Sequence, residues 1–173
     1  MASSVCLRAR ILVLVEGTDF DEPAFFRAIG ESGARALLIG RRAMVALGLP
    51  VLTADYDFWV HPDDVALFNA AAAPFGLVPN HAPEAVKSRG RYVLENDEHM
   101  DVIAARLAST ADGQQILFDD LWSRRVSLPL SSGASLLLPC LDDLIATKRL
   151  GQRPKDLEDI RLLQALRQAG GPV

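Results

Sequence analysis

The sequence predicts an α/β (α+β) fold, a mixed β-sheet flanked by helices and followed by a C-terminal helical segment. Three observations predict it. Candidate helices and strands follow the order helix, strand, helix, strand, helix, more strands, then helices. The run Asp55-Tyr56-Asp57-Phe58-Trp59-Val60 alternates as a strand with one buried face does. The chain ends in two candidate helices, about Leu141–Leu150 and Pro154–Gln168, separated by Gly151-Gln152-Arg153.

Taken in order, Ile11–Val15 reads as an edge strand or part of a helix. Asp21-Glu22-Pro23 opens a helix with Phe25, Phe26 and Ile29 on its apolar side, and Gly33 ends it. Leu37 to Ile39 forms a short strand that stops at Gly40. A short helix from about Arg41 to Leu47 follows and is closed by Gly48. In the next strand Tyr56, Phe58 and Val60 point one way, and Asp55, Asp57 and Trp59 the other. His61-Pro62-Asp63-Asp64 turns into a helix that reaches Pro74, with Gly76 closing it. Leu77–Val78 reads as a short strand, and residues 79–91 as a polar loop holding Lys87, Arg89 and Arg91. Tyr92–Leu94 and His99–Ala104 form a hairpin around Glu95-Asn96-Asp97-Glu98. A helix is expected from about Gln115 to Arg124, then a second hairpin from Val126–Leu130 and Ser135–Leu138 around Ser131-Ser132-Gly133. Pro154 fits the first turn of the last helix.

The composition excludes several classes. At 173 residues, 50% hydrophobic and 23% charged, the chain has a globular balance and enough length for a core. We expect one domain over 1–173, with its sheet core at about 34–139 and its C-terminal helices at about 140–169. A net charge of −4 argues against a generally basic nucleic-acid surface but leaves room for a local basic groove. Cys6 and Cys140 give neither metal spacing nor a disulfide framework, so a reducing compartment is the default. No stretch has the length of a membrane span, and Arg8 and Arg10 before Ile11–Val15 lack the apolar length of a signal peptide. A cytoplasmic protein with no membrane contact is the expectation.

The chemistry gathers on acids. Asp55 and Asp57, two residues apart on one strand face, have Cα atoms about 6–7 Å apart, a spacing that suits shared hard cations. At neutral pH the pair repels itself unless a cation or a basic group intervenes. Asp101 lies in the otherwise apolar strand His99-Met100-Asp101-Val102-Ile103; if that strand neighbours the first, three carboxylates converge. Gly40 lets a phosphate approach the backbone, and the helix start after it offers N–H groups to an anion. Arg41 and Arg42 oppose the helix dipole there, which an anion would explain. Leu141, Leu144, Ile145 and Lys148 share one helical face, so Lys148 must snorkel, pair with Asp156 or Asp159, or reach an anionic ligand. His61, His81 and His99 have no metal-ligand spacing, no serine has a nucleophile elbow, and no glycine-rich phosphate loop occurs.

Ile39-Gly40, a helix, Thr53-x-Asp55-x-Asp57 and the later Asp101 resemble the nucleotidyltransferase superfamily that includes DNA polymerase beta. The ending, Leu138-Pro139-Cys140-Leu141-Asp142-Asp143-Leu144-Ile145-Ala146-Thr147-Lys148 followed by Arg153-Pro154-Lys155-Asp156-Leu157-Glu158-Asp159-Ile160, is similar to small bacterial members, among them nucleotidyltransferase-like toxins of toxin–antitoxin pairs. The resemblance covers roughly residues 34–165. It implies a magnesium-dependent transfer of a nucleoside monophosphate from a nucleoside triphosphate such as ATP to a hydroxyl of RNA, protein or a small molecule. It further implies Asp55 and Asp57 as metal ligands, Asp101 as base or shared ligand, and Gly40, Arg41, Arg42, Thr53 and Lys148 around the nucleotide. Arg41 departs from the family, which places Gly or Ser directly after the first glycine. That departure keeps open a non-catalytic interaction protein working with a partner protein or as a homodimer. A glycosyltransferase also uses Asp-x-Asp, but it needs no third acid and a larger domain.

Overall fold

In the computed structural model the described residues are 20–130, 133, 135–151 and 153–171. The expected element at Ile11–Val15, Cys6 and the Ser131-Ser132 turn lie outside them. The first helix, α1 (Glu22–Glu31), is capped by the side chain of Asp21, which accepts from the N–H of Ala24 at 3.0 Å. Strand β1 (Ala36–Ile39) runs directly into helix α2 (Gly40–Ala46), and strand β2 (Tyr56–Val60) follows. Helix α3 (Val65–Ala72) enters through a 3-10 turn at Pro62–Asp64 and leaves through another at Ala73–Phe75, where Gly76 takes φ +77°.

The main sheet has five strands in the order β1-β2-β5-β4-β3, with β3 at Val78–Pro79, β4 at Arg91–Glu95 and β5 at His99–Ile103. It is mixed: β2 and β5 are parallel, and the other three pairings are antiparallel. Period-two alternation sets its two faces. Tyr56, Phe58, Tyr92, Leu94, Met100 and Val102 are buried on one face. There Phe58 meets Phe25 of α1 and Phe68 of α3 edge-on, with ring centroids 6.0 and 5.1 Å apart. The other face carries Asp57, Trp59, Val93, Asp101 and Ile103. It is covered at Trp59, whose ring lies 6.2 Å from Phe118 and whose Nε1–H donates to the carbonyl of Ala105 at 2.8 Å. Beyond Trp59 it opens.

Two readings of the sequence need correction. Residues 83–89 are a helix, α4 (Pro83–Arg89), rather than loop: Pro83 stands in its first turn and Gly90 closes it at φ +70°. Val86 is its one buried residue, so no apolar period betrayed it. Likewise Gln115–Leu117 is not helical. It forms strand β7, paired with β6 (Leu107–Ser109) around a turn in which Thr110 binds the carbonyl of Gln114 and Gly113 takes φ +84°. Helix α5 begins only at Phe118 and runs to Ser123. The second hairpin, β8 (Val126–Pro129) with β9 (Ser135–Leu138), packs through β9 on β1 and α1. Helices α6 (Leu141–Lys148) and α7 (Pro154–Gln168) then lie together across α2.

Candidate active site

β2 and β5 run parallel with Asp57 and Asp101 as register partners, so the two carboxylates start from Cα atoms about 4.8 Å apart on one face. Both line a cavity of about 520 Å³ with Gly40, Lys148 and Arg153. Gly40 directly follows Ile39, which is the register partner of Asp57 across β1 and β2. A Cβ on Gly40, whose φ is +68°, would stand 2.0 Å from Oδ2 of Asp57. The glycine is therefore required first by the carboxylate packed over it.

Burial pushes the Asp57 carboxyl above the usual carboxylate range, and the charge of Asp101 adds to it; Lys148 pulls the other way. The lysine does not touch Asp57 as an ion partner. Its Nζ lies 2.7 Å from Oδ2 of Asp159, a fully buried residue of α7. Asp159 also accepts from Arg41, whose Nε is 3.1 Å from both carboxylate oxygens. Burial alone would raise the Asp159 carboxyl, but these two cations outweigh it and hold it below its ordinary range. Asp159 thus joins α2, α6 and α7 in one buried knot.

Of the residues singled out from the sequence, the structure brings Gly40, Asp57, Asp101 and Lys148 to one cavity. Asp55 precedes β2 and is exposed, and it is close enough for its charge to raise Asp57. Three others do not line the cavity. Arg41 turns to Asp159. Arg42 lies 4.2 Å over the ring of Tyr56 and pairs with Glu22 at 3.4 Å. Thr53 donates to the carbonyl of Asp55 within its own loop. Residues that the sequence reading missed are Arg153, held by Asp156 at 3.0 Å, and His99, which sits 3.6 Å from Asp101 and 3.1 Å from Glu95. Their partners are local in sequence, Asp156 three residues after Arg153 in a capping box and Asp101 two after His99, and those spacings were the overlooked signal.

Among the described residues, no three His, Cys, Asp or Glu side chains gather closely enough to hold a metal ion by themselves. The chemistry of the pair nevertheless fits magnesium. Two hard oxygen donors start from register partners on one face, burial and then the charge of Asp101 raise Asp57, and the neighbouring ammonium is engaged by Asp159. Magnesium takes one or two carboxylates and completes its shell with water and substrate phosphates.

No family model matches the sequence, and no curated protein matches it. Solved structures do. The chain is similar to the antibiotic-resistance factor ANT(2'')-Ia, with TM-score 0.56 and 15% identity over 85% of this chain and 87% of that one. It is also similar to a Thermotoga maritima protein provisionally assigned as a nucleotidyltransferase, with TM-score 0.53 and 12% identity over 84% and 87% of the two chains. No helix among the described residues is long and apolar enough to cross a membrane. Sheet order and these neighbours agree on one conclusion: the chain shares the mixed α+β fold of these two solved structures.

Proposed function

We propose that the protein is a magnesium-dependent nucleotidyltransferase that moves a nucleoside monophosphate from a nucleoside triphosphate to an acceptor hydroxyl. The observation that carries this reading is the Asp57–Asp101 register pair, opening with Gly40 and Lys148 into one cavity. The acceptor oxygen attacks the α-phosphorus in line. A new O–P bond forms, the bond from phosphorus to the bridging oxygen breaks, and pyrophosphate leaves with the electron pair. Asp101 takes the hydroxyl proton. Asp57 and Asp101 would hold the cation, with Asp55 near enough to add negative charge, and the cation would supply charge neutralisation on the phosphates. Lys148 and Arg153 bring positive charge to the same cavity, where it favours the anionic nucleotide and the departing pyrophosphate. Arg41, anchored on Asp159, leaves the space next to Gly40 clear, which supports an active enzyme despite the bulky residue.

Incubation with α-labelled nucleoside triphosphates, magnesium and fractionated lysate tests this. Label should appear in one acceptor fraction with matching pyrophosphate, and Asp101→Asn should lower the rate at least about 100-fold. Absence of both products with all four nucleotides would refute the enzyme. The second reading, a fold-retaining interaction protein such as a toxin–antitoxin partner, is favoured by Asp55 standing outside the cavity, and it predicts no label in any fraction.

A further inference from the structure

The cavity that holds Asp57 and Asp101 does not end at the sheet face. Arg91 and Ile103 are register partners on β4 and β5 and line it. The residues next to these on the two strands, Gly90 and Ala104, line a second cavity of about 450 Å³. The N–H of Ala104 donates to the carbonyl of Gly90 at 2.8 Å, so the linings of the two cavities are consecutive along both strands at this hydrogen bond. The second cavity is lined by Lys87, Arg89 and Arg106, with Asp63 its one acid. Asp63 is paired with Arg106. Among the described residues Lys87, Arg89 and Arg91 have no carboxylate partner.

A chain with a net charge of −4 thus carries three cations without a carboxylate partner, Arg91 at the first cavity and Lys87 and Arg89 at the second. Lys87 and Arg89 complement the C-terminal dipole of α4, which accounts for two basic residues there. It does not account for Arg91, which begins β4 beyond the closing glycine and borders the first cavity, while Lys87 and Arg89 border the second. From Asp101 to Ala104, where the second cavity begins, the track spans three residues, about 10 Å at the rise of an extended chain. A small acceptor would be contained in the first cavity and leave the second without use. A ligand bearing several phosphates in series would use both.

We propose that this track binds a single-stranded phosphodiester chain whose terminal hydroxyl reaches Asp101. The acceptor role rests on the nucleotidyltransferase reading; the binding does not. RNA and DNA share the chemistry that the three cations recognise, and the test separates them.

Fluorescence anisotropy with end-labelled twelve-nucleotide single-stranded RNA and DNA, without any nucleoside triphosphate, measures binding apart from catalysis. Three phosphate contacts predict a slope of log affinity against log salt of about −2, from about −0.7 per contact on single strands. The double variant Lys87→Glu/Arg89→Glu should weaken binding about tenfold or more. Lys87→Gln/Arg89→Gln should bring the slope to about −0.7 with the fold intact, since both side chains are exposed and only their contribution to the α4 dipole is lost. Preference for RNA, preference for DNA or equal binding each supports the track and names its occupant. No binding of either strand, or affinity indifferent to both double variants, overturns it. Labelled transfer to a small molecule with oligonucleotides unbound would leave the enzyme standing and remove the track. Binding intact in a protein that transfers nothing would do the reverse.

Discussion

A methyl group at position 40 would stand 2.0 Å from Oδ2 of Asp57 on a residue at φ +68°, two penalties at one atom. Left-handed backbone alone costs a non-glycine residue roughly 1–2 kcal/mol. Gly40→Ala should therefore destabilise the protein by about 2 kcal/mol in urea titration and displace Asp57, weakening magnesium–nucleotide binding as well. The sequence marked this glycine for phosphate approach; the structure shows its nearer duty is to Asp57. Asp159 carries a different prediction. Its carboxyl is held low by Arg41 and Lys148, so the folded state binds its proton later than the unfolded chain as pH falls. The stability it contributes is present above the ordinary carboxylate range near 3.8 and is lost as pH drops toward its lowered value. Asp159→Asn, which leaves two cations without their anion, should cost about 3 kcal/mol at pH 7. The gap from wild type should close below about pH 4, as urea midpoints across pH would show.

At the scale of elements, β2 and β5 bring two like charges into register, an arrangement that a purely structural sheet avoids. Asp101→Asn removes one of them. Without divalent ions at pH 7 this variant should be more stable than wild type by about 0.5 kcal/mol, a modest figure because the Asp101 side chain is largely exposed. Chemical denaturation in chelator reads it, and a loss of stability instead would mean the pair is not in repulsion. The same two strands show what was legible in the sequence. β2 announced itself through alternation, and α6 and α7 through Leu141, Leu144, Ile145 and the Pro154 start. Helix α4 stayed hidden because Val86 is its lone buried residue, and its signals were Pro83 and Gly90 at its two ends. β7 was read as helix because Ile116 and Leu117 adjoin the true helix at Phe118; the Asp112-Gly113 pair before it was the overlooked turn signal. Of the site, Asp57, Asp101, Gly40 and Lys148 were legible by residue type and spacing. The turning away of Arg41 and Arg42 was not, because their partners Asp159 and Glu22 come close only through tertiary packing.

Over the whole molecule, the aromatic layer under α1 and α3 fixes one sheet face, and the α2–α6–α7 knot at Asp159 closes one end of the other. What remains open is the strip from Gly40 through Asp57 and Asp101 to Arg91. On the proposed reading its acids hold a cation and its bases an anionic ligand, each favouring the other. Isothermal titration of a nucleoside triphosphate into wild type and Asp57→Ala/Asp101→Ala, with magnesium and then with chelator, measures that coupling. The predicted result is tight binding only for wild type with magnesium, weakened at least about tenfold by either the double substitution or the chelator. Equal affinity in wild type and double variant, with magnesium present, would contradict the assignment of the two facing acids as the cation site.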